Sequence, residues 1–186
     1  MESIANEIEN HVSYKYFKKI PHEKYLKLVE NNDGGKTGTY TINIRLNENH
    51  DSLCMFQNLE LMKASKISKY IFQNPPKDCD YVILDERNEK IYFLELKYMK
   101  KIEKKEIAEQ LKAGKKWAEH LLFCSGLSYE NLSNWKESYI CLNFRSGRPP
   151  RKRSEAEYCE QIEPPVRMIE PASAINRATQ CNRESH

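Results

Sequence analysis

The sequence predicts an α/β fold in which a mixed central β-sheet is flanked by helices. Two kinds of periodicity support this prediction. Short segments alternate apolar and polar residues, as strands do, and one longer segment repeats its apolar residues every three or four positions, as helices do. The predicted order along the chain is helix, strand, helix, hairpin, helix, strand and one further short strand. That order is typical of a sheet covered by helices.

Composition limits the class of protein. A chain of 186 residues with 39% hydrophobic and 31% charged residues is large enough for one domain with an apolar core. A net charge of +3 excludes a polycation, so any nucleic-acid surface must be local. The six cysteines show neither CxxC pairs nor zinc-ligand spacing. Without a signal-like or membrane-length apolar run, we expect a cytoplasmic protein that does not bind membranes.

The first third of the chain contains three predicted elements. Tyr25, Leu28 and Val29 have the spacing of one helix face, which predicts a helix there. Residues 39–46 alternate strictly and predict a half-buried strand. Residues 53–72 fit a helix less cleanly, and part of this segment is compatible with an extended conformation.

A β-hairpin is predicted in the middle of the chain. Residues 79–84 form a short apolar run, a polar turn follows, and residues 90–97 are rich in aromatic and branched side chains. A loop of four residues would pair Leu84 with Ile91. A loop of five residues would shift this register by one position.

The four-residue loop places three chemically useful residues together. It sets Asp80 opposite Glu95, and because side chains alternate along a strand, Glu95 and Lys97 share a face. Two close carboxylates repel each other unless a cation lies between them, and a charge within an apolar strand is costly. Mg²⁺ or Mn²⁺ bound by these carboxylates would activate a water molecule for attack on a phosphate, and Lys97 would assist it. The pattern therefore predicts a metal-dependent phosphodiester hydrolase.

The second half of the chain begins with a long amphipathic helix over residues 103–124, for which Gly126 is the predicted stop signal. Its apolar stripe comprises Ile107, Leu111, Gly114, Ala118 and Leu122. Residues 138–144 predict a strand, and residues 164–171 predict one short edge strand. We therefore divide the chain into a single α/β domain, 1–145, and a basic loop with a partly disordered C-terminal tail, 146–186.

The stretch PPKDCDYVILDERNEKIYFLELK, followed by a helix containing EQLKAGKKW, resembles the core of the PD-(D/E)xK nuclease superfamily. This superfamily includes restriction endonucleases and Holliday-junction resolvases. The resemblance covers about residues 53–145 and implies a restriction-endonuclease-like core, a mixed four-stranded sheet flanked by helices. It implies that Asp80 and Glu95 bind the metal, that Leu96 offers its backbone carbonyl to it, and that Lys97 is catalytic.

The resemblance also implies roles for two helical residues. Gln110 matches a glutamine that some members carry on the helix after the lysine strand, where it orients the site. Glu60 matches an acid that many members carry on a helix before the core, although an exposed helix charge is the alternative. The chain departs from the motif because Asp78 and Cys79, and not a proline, precede Asp80.

Family analogy favours DNA over RNA as the substrate, with roles such as restriction, phage defence or repair. Clusters of basic residues supply candidate phosphate contacts, although a solvated helix face is the alternative for the two on the helix. These candidates are Lys115, Lys116, Arg148, Lys152 and Arg153.

Two other interpretations of the same residues stay open. A catalytically inactive domain with the nuclease fold would bind nucleic acid or a protein partner, and a homodimer would supply the missing recognition surface. Alternatively, the hairpin acids form a structural ion-pair cluster in an unrelated α/β domain.

Overall fold

The computed structural model of the chain describes residues 3–20, 25–30, 40–46, 52–59, 77–97, 103–143, 157–159 and 166–169. In chain order its elements are α1 (Ile4–His11), β1 (Phe17–Lys19), β2 (Tyr25–Glu30), β3 (Tyr40–Arg45), β4 (Leu53–Gln57), β5 (Tyr81–Asp85), β6 (Lys90–Lys97), α2 (Lys104–Cys124), a 3₁₀ helix (Tyr129–Leu132), β7 (Lys136–Asn143), β8 (Glu157–Cys159) and β9 (Val166–Ile169).

Seven of these strands form one sheet in the order β1-β4-β5-β6-β7-β9-β8. From β1 to β6 the neighbours are antiparallel, whereas β7 runs parallel to both β6 and β9. Parallel neighbours need a crossover connection, and α2 provides it between β6 and β7. The predicted α/β class and mixed sheet are confirmed, as is a short strand within 164–171.

Two apolar clusters lie on opposite faces of the sheet. On one face, α1 and α2 contribute residues such as Ile8 and Leu111, which pack on Val82 and Phe93 of the sheet. On the other face, β2 and β3 form a separate two-stranded sheet, and Leu28 packs on the sheet there. Both helices of the described residues therefore cover the same face, and a hairpin covers the other.

The predicted helix containing Tyr25, Leu28 and Val29 is wrong, because these residues form β2. Leu26 and Leu28 alternate with exposed neighbours, and both are buried in the cluster under the sheet. Pairing with β3 satisfies the backbone groups along one edge of β2, and tertiary packing selects the strand over the helix-like spacing. The strand predicted at 39–46 is confirmed as β3.

The segment 53–72 begins as a strand and not as a helix. Within β4, Cys54, Met55 and Phe56 are consecutive and all buried, because the two faces of the sheet are both covered. A short buried apolar run of this kind does not distinguish strand from helix by periodicity. Residues 60–72 lie outside the described part of the chain.

The long amphipathic helix is confirmed as α2, and all five residues of its predicted stripe are buried. The helix ends where predicted. Gly126 has a φ of +76°, a left-handed conformation that glycine adopts without the strain of a Cβ atom, and its N–H donates to Phe123 O at 3.0 Å.

Candidate active site

The β5–β6 hairpin has the register that its sequence predicts. The turn between Asp85 and Lys90 contains four residues, and Leu84 pairs with Ile91. The pairing continues to Tyr81 and Leu94 at the far end of the hairpin. One further step in this register brings Asp80, which immediately precedes β5, alongside Glu95.

A hydrogen bond holds Asp80 against β6. Its Oδ2 atom accepts from the backbone N–H of Leu96 at 2.6 Å. In a strand, the N–H and C=O of one residue point to the same side, so the Leu96 carbonyl also faces the end of β5 that carries Asp80. The carboxylate of Asp80 and the carbonyl of Leu96 are therefore on the same side of β6.

Glu95 and Lys97 form an ion pair on the face of the sheet that α2 covers. Lys97 Nζ lies 2.5 Å from Glu95 Oε1, and the side chains are 19% and 2% exposed. Burial of a carboxylate is costly, and the adjacent ammonium offsets that cost. The second carboxylate oxygen of Glu95 is buried as well. The two strand residues thus bring an anion and a cation together beside Asp80.

Helix α2 packs closely against this end of the hairpin at Gly114. A Cβ atom at this position would overlap the Sγ of Cys79 and lie 3.0 Å from its Cβ. The Cys79 thiol is fully buried, and burial raises its pKa, with further contributions from the charges of Glu95 and Asp80. Cys79 therefore packs against the helix and is close enough to both carboxylates for their charges to act on its thiol.

Gln110 lies one turn before Gly114 and is only 4% exposed. Its Oε1 atom is buried, and no donor from the described residues reaches it. A buried amide oxygen of this kind is unusual in proteins and is a suitable ligand or acceptor for a bound group. The structure therefore places Gln110 on the buried face of the helix turn next to the Gly114–Cys79 contact.

Asp78 is a buried acidic residue close to the candidate site. From the sequence it was considered only as a departure from the nuclease motif. It is 2% exposed, and its charge also raises the pKa of the Cys79 thiol. The relevant signal was an acidic residue two positions before Asp80, but residue spacing alone does not reveal that this side chain is buried.

The donor types suit a hard divalent cation. Carboxylate oxygens of Asp80 and Glu95 and the carbonyl of Leu96 are oxygen ligands, and Mg²⁺ commonly uses one or two carboxylates with waters and substrate phosphate completing its shell. Among the described residues no group of three or more His, Cys, Asp or Glu side chains is arranged to hold a metal. The protein would thus supply a minimal ligand set.

Two of the predicted phosphate contacts lie on α2 and form ion pairs. Lys115 Nζ lies 2.8 Å and 3.0 Å from the two carboxylate oxygens of Glu137, and Lys116 Nζ lies 2.8 Å from Glu119. Lys116 is largely exposed, whereas Lys115 is partly buried. The remaining candidates, together with the proposed accessory acid, lie outside the described residues: Glu60, Arg148, Lys152 and Arg153.

Sequence reasoning did not find the cluster around Glu137. The hydroxyl groups of Tyr129 and Tyr139 each donate to its carboxylate at 2.5 Å, next to Lys115. This cluster borders an open cleft of about 740 Å³, which the exposed ring of Phe123 also lines. Its members come from a helix, a 3₁₀ turn and a strand, so no local pattern joins them.

No helix among the described residues is both long enough and apolar enough to cross a membrane. Neither a family model nor a curated protein nor a solved structure matches this chain.

Proposed function

We propose that this chain is a metal-dependent nuclease that hydrolyses phosphodiester bonds, with DNA favoured over RNA. One observation carries the proposal. The ion pair between buried Glu95 and partly exposed Lys97 flanks Leu96, and the backbone N–H of Leu96 is hydrogen-bonded to Asp80 across the hairpin. Two acids and an ammonium at one strand end are the groups that metal-assisted phosphodiester hydrolysis requires.

The order of elements supports a restriction-endonuclease-like core. Three antiparallel strands, β4 to β6, are followed by α2 and then by β7, which is parallel to β6. Phe93, Glu95 and Lys97 alternate along β6 and therefore lie on the face of the sheet that the helix covers. In this proposal the helix excludes water from one side of the site, and the strand end remains the entry for substrate.

Each residue has a distinct role in the proposed reaction. Asp80, Glu95 and the Leu96 carbonyl would hold Mg²⁺ or Mn²⁺, and the bound ion would supply Lewis acidity and a water of lowered pKa. The Lys97 ammonium would orient the attacking water or stabilise negative charge that develops on the phosphate. The buried amide of Gln110 would orient the site from the helix.

The proposed setting follows from the same family analogy. A cytoplasmic nuclease of this kind would act in restriction, phage defence or repair, and a homodimer would present two sites to duplex DNA. These assignments follow from the analogy of motif and element order, and all of them require nuclease activity.

The proposal is tested by incubating purified protein with supercoiled plasmid or RNA in Mn²⁺, in Mg²⁺ and in EDTA. We expect plasmid cleavage with a divalent cation and none in EDTA. Lys97→Ala should reduce the rate by about 10²-fold or more, because it removes the group that assists the water. Lys90→Ala, which changes the same residue type at the other end of β6, should cleave normally.

Two results would overturn the nuclease assignment. One is the absence of cleavage of both substrates by the wild type with either metal. The other is cleavage that persists unchanged in Lys97→Ala, since that activity would belong to another site or protein. Calorimetric titration with Mn²⁺ adds a separate check, because Asp80→Asn should abolish binding if Asp80 is a ligand.

We infer a second candidate function from the ion pair itself. The Lys97 ammonium pairs with one carboxylate oxygen of Glu95, an arrangement that a structural ion pair in a binding domain would also have. A catalytically inactive module that binds nucleic acid or a protein partner fits this arrangement. Fluorescence anisotropy with labelled duplex DNA distinguishes it, since the module would bind DNA equally well in EDTA and never cleave it.

A further inference from the structure

Gly114 is an unusual residue for the interior of a 21-residue helix. Glycine destabilises helix interiors relative to alanine, so its presence at a buried position calls for a packing reason. The reason lies in Cys79, whose Sγ fills the space where a Cβ atom at position 114 would be. The backbone N of Cys79 is only 3.3 Å from the same point, so the helix lies almost against the chain that leads into β5.

The thiol of Cys79 has little freedom to move out of the way. The residue is completely buried, and Sγ lies 3.5 Å from the backbone oxygen of Tyr81, within hydrogen-bond distance for sulfur. A larger residue at position 114 would therefore push the helix away from the sheet and would not simply rotate the cysteine.

This contact joins the two chain segments that carry the proposed site residues. Cys79 precedes Asp80 directly, and Gln110 precedes Gly114 by four residues, about 6 Å along the helix axis. The Gln110 side chain is buried, and its Oε1 has no donor from the described residues. Because Gln110 and Gly114 lie on the same buried face of one helix, an outward shift of α2 at Gly114 would carry the Gln110 amide outward from the sheet as well.

We propose that Gly114 and Cys79 are positioning residues whose matched sizes set the distance between Gln110 and the carboxylates of Asp80 and Glu95. The proposal deepens the nuclease assignment and rests on it. Residues that orient a metal site from behind its ligands commonly change metal affinity by ten- to a hundredfold when they are altered. The property that matters is the total side-chain volume at positions 79 and 114, and not the size of either residue by itself.

A set of four variants tests this volume rule with Mn²⁺ affinity measured by calorimetry. Gly114→Ala should weaken Mn²⁺ binding by about tenfold or more, because the helix moves outward. Cys79→Ala should have a smaller effect. The double variant, Gly114→Ala with Cys79→Ala, should recover most of the affinity, because removing Sγ leaves a separation of 3.0 Å that a small shift can relieve.

A matched control separates positioning from general instability. Ala118 lies one turn after Gly114 on the same buried face, so Ala118→Val overpacks the same helix away from Cys79. We expect Ala118→Val to lower the melting temperature. Mn²⁺ affinity, KM and kcat should stay unchanged. Gly114→Ala should lower affinity beyond what its melting temperature accounts for, and its loss of cleavage should appear in kcat.

The outcomes are distinguishable. A wild type that neither binds Mn²⁺ nor cleaves nucleic acid overturns the nuclease assignment, and the positioning role falls with it. A wild type that binds and cleaves, with variants whose affinity follows melting temperature alone, overturns only the positioning role. The same holds if the double variant is as weak as Gly114→Ala.

Discussion

The carboxylate of Glu137, at the residue scale, accepts hydrogen bonds from three side chains that belong to three different elements. Burial alone would raise its pKa, but hydrogen bonds from Lys115, Tyr129 and Tyr139 outweigh burial and lower it. A carboxyl group with a lowered pKa in the folded state stabilises that state while it is ionised. The cluster therefore makes part of the protein's stability dependent on pH.

We predict that Glu137→Gln destabilises the protein at neutral pH and much less in acid. The unfolded carboxyl group titrates near 4.5, and the folded one below it, so the stabilisation is present above this range and is lost as the pH falls through the lowered pKa. Urea unfolding of both proteins at pH 7, 5, 4 and 3 measures this. A difference in unfolding free energy that stays constant down to pH 3 would contradict it.

The same hydrogen bonds affect how the stability of the protein depends on pH in alkaline solution. Burial, followed by the hydrogen bond to Glu137, raises the pKa of both Tyr129 and Tyr139. Because the folded state holds these protons more tightly than the unfolded chain, the associated stability is present below pH 10 and declines above it. Glu137→Gln should therefore also weaken the loss of stability above pH 10.

Some site residues are predictable from sequence and others are not, for a physical reason. The pairing of Asp80 with the strand that carries Glu95 and Lys97 follows from a four-residue turn and the period of two in a strand, which are local rules. The burial of Cys79 depends on the approach of α2, which packs against it at Gly114, more than 30 residues later in the chain. Local patterns carry no information about that approach.

The same contrast appears at the element scale. The β5–β6 hairpin and α2 were predictable because each has a clear period and its own stop signals. The helix predicted around Tyr25 was wrong because its segment satisfies both helical spacing and strand alternation. Packing of Leu26 and Leu28 under the sheet decides between them, and that packing is a long-range effect.

Tyr81 attaches the β2–β3 hairpin to the main sheet. Its hydroxyl donates to Val29 O at 2.7 Å and accepts from Val29 N–H at 2.8 Å, so one side chain satisfies both backbone groups of a strand residue. Tyr81 itself is buried beneath this hairpin with Leu28. The contact joins two sheets that have no shared backbone ladder.

We predict that Tyr81→Phe lowers the free energy of unfolding by about 1–3 kcal/mol, because it leaves the N–H and C=O of Val29 without their partner in a partly buried place. Chemical denaturation measures the change. Tyr92→Phe, at a half-buried tyrosine on β6, is the matched control and should change stability by less than about 0.5 kcal/mol. Equal effects of the two substitutions would show that the Tyr81 hydroxyl does not stabilise the hairpin.

At the scale of the whole molecule, the proposed nuclease function depends on how charge is distributed over the surface. The net charge of +3 is too small for general attraction, so the proposed function needs a local basic surface. The sequence predicted Lys115 as part of that surface, but Glu137 already pairs with its ammonium. Lys116 is 78% exposed and forms an i,i+3 pair with Glu119, which a phosphate can displace at little cost.

This difference between adjacent lysines gives a prediction for the salt dependence of DNA binding. Each ammonium that contacts a phosphate contributes about 0.9 to the slope of log K against log salt concentration. Lys116→Gln should therefore reduce the slope by about 0.9, and single glutamine substitutions at Arg148, Lys152 and Arg153 should each do the same if they contact phosphates. Lys115→Gln should leave the slope unchanged and lower stability instead, since it removes the partner of Glu137.

Anisotropy of a labelled duplex in EDTA, across a salt series, measures binding without cleavage. A reduced slope in Lys115→Gln would show that this ammonium leaves Glu137 to reach DNA, and an unchanged slope in all the other variants would place the phosphate contacts elsewhere on the chain.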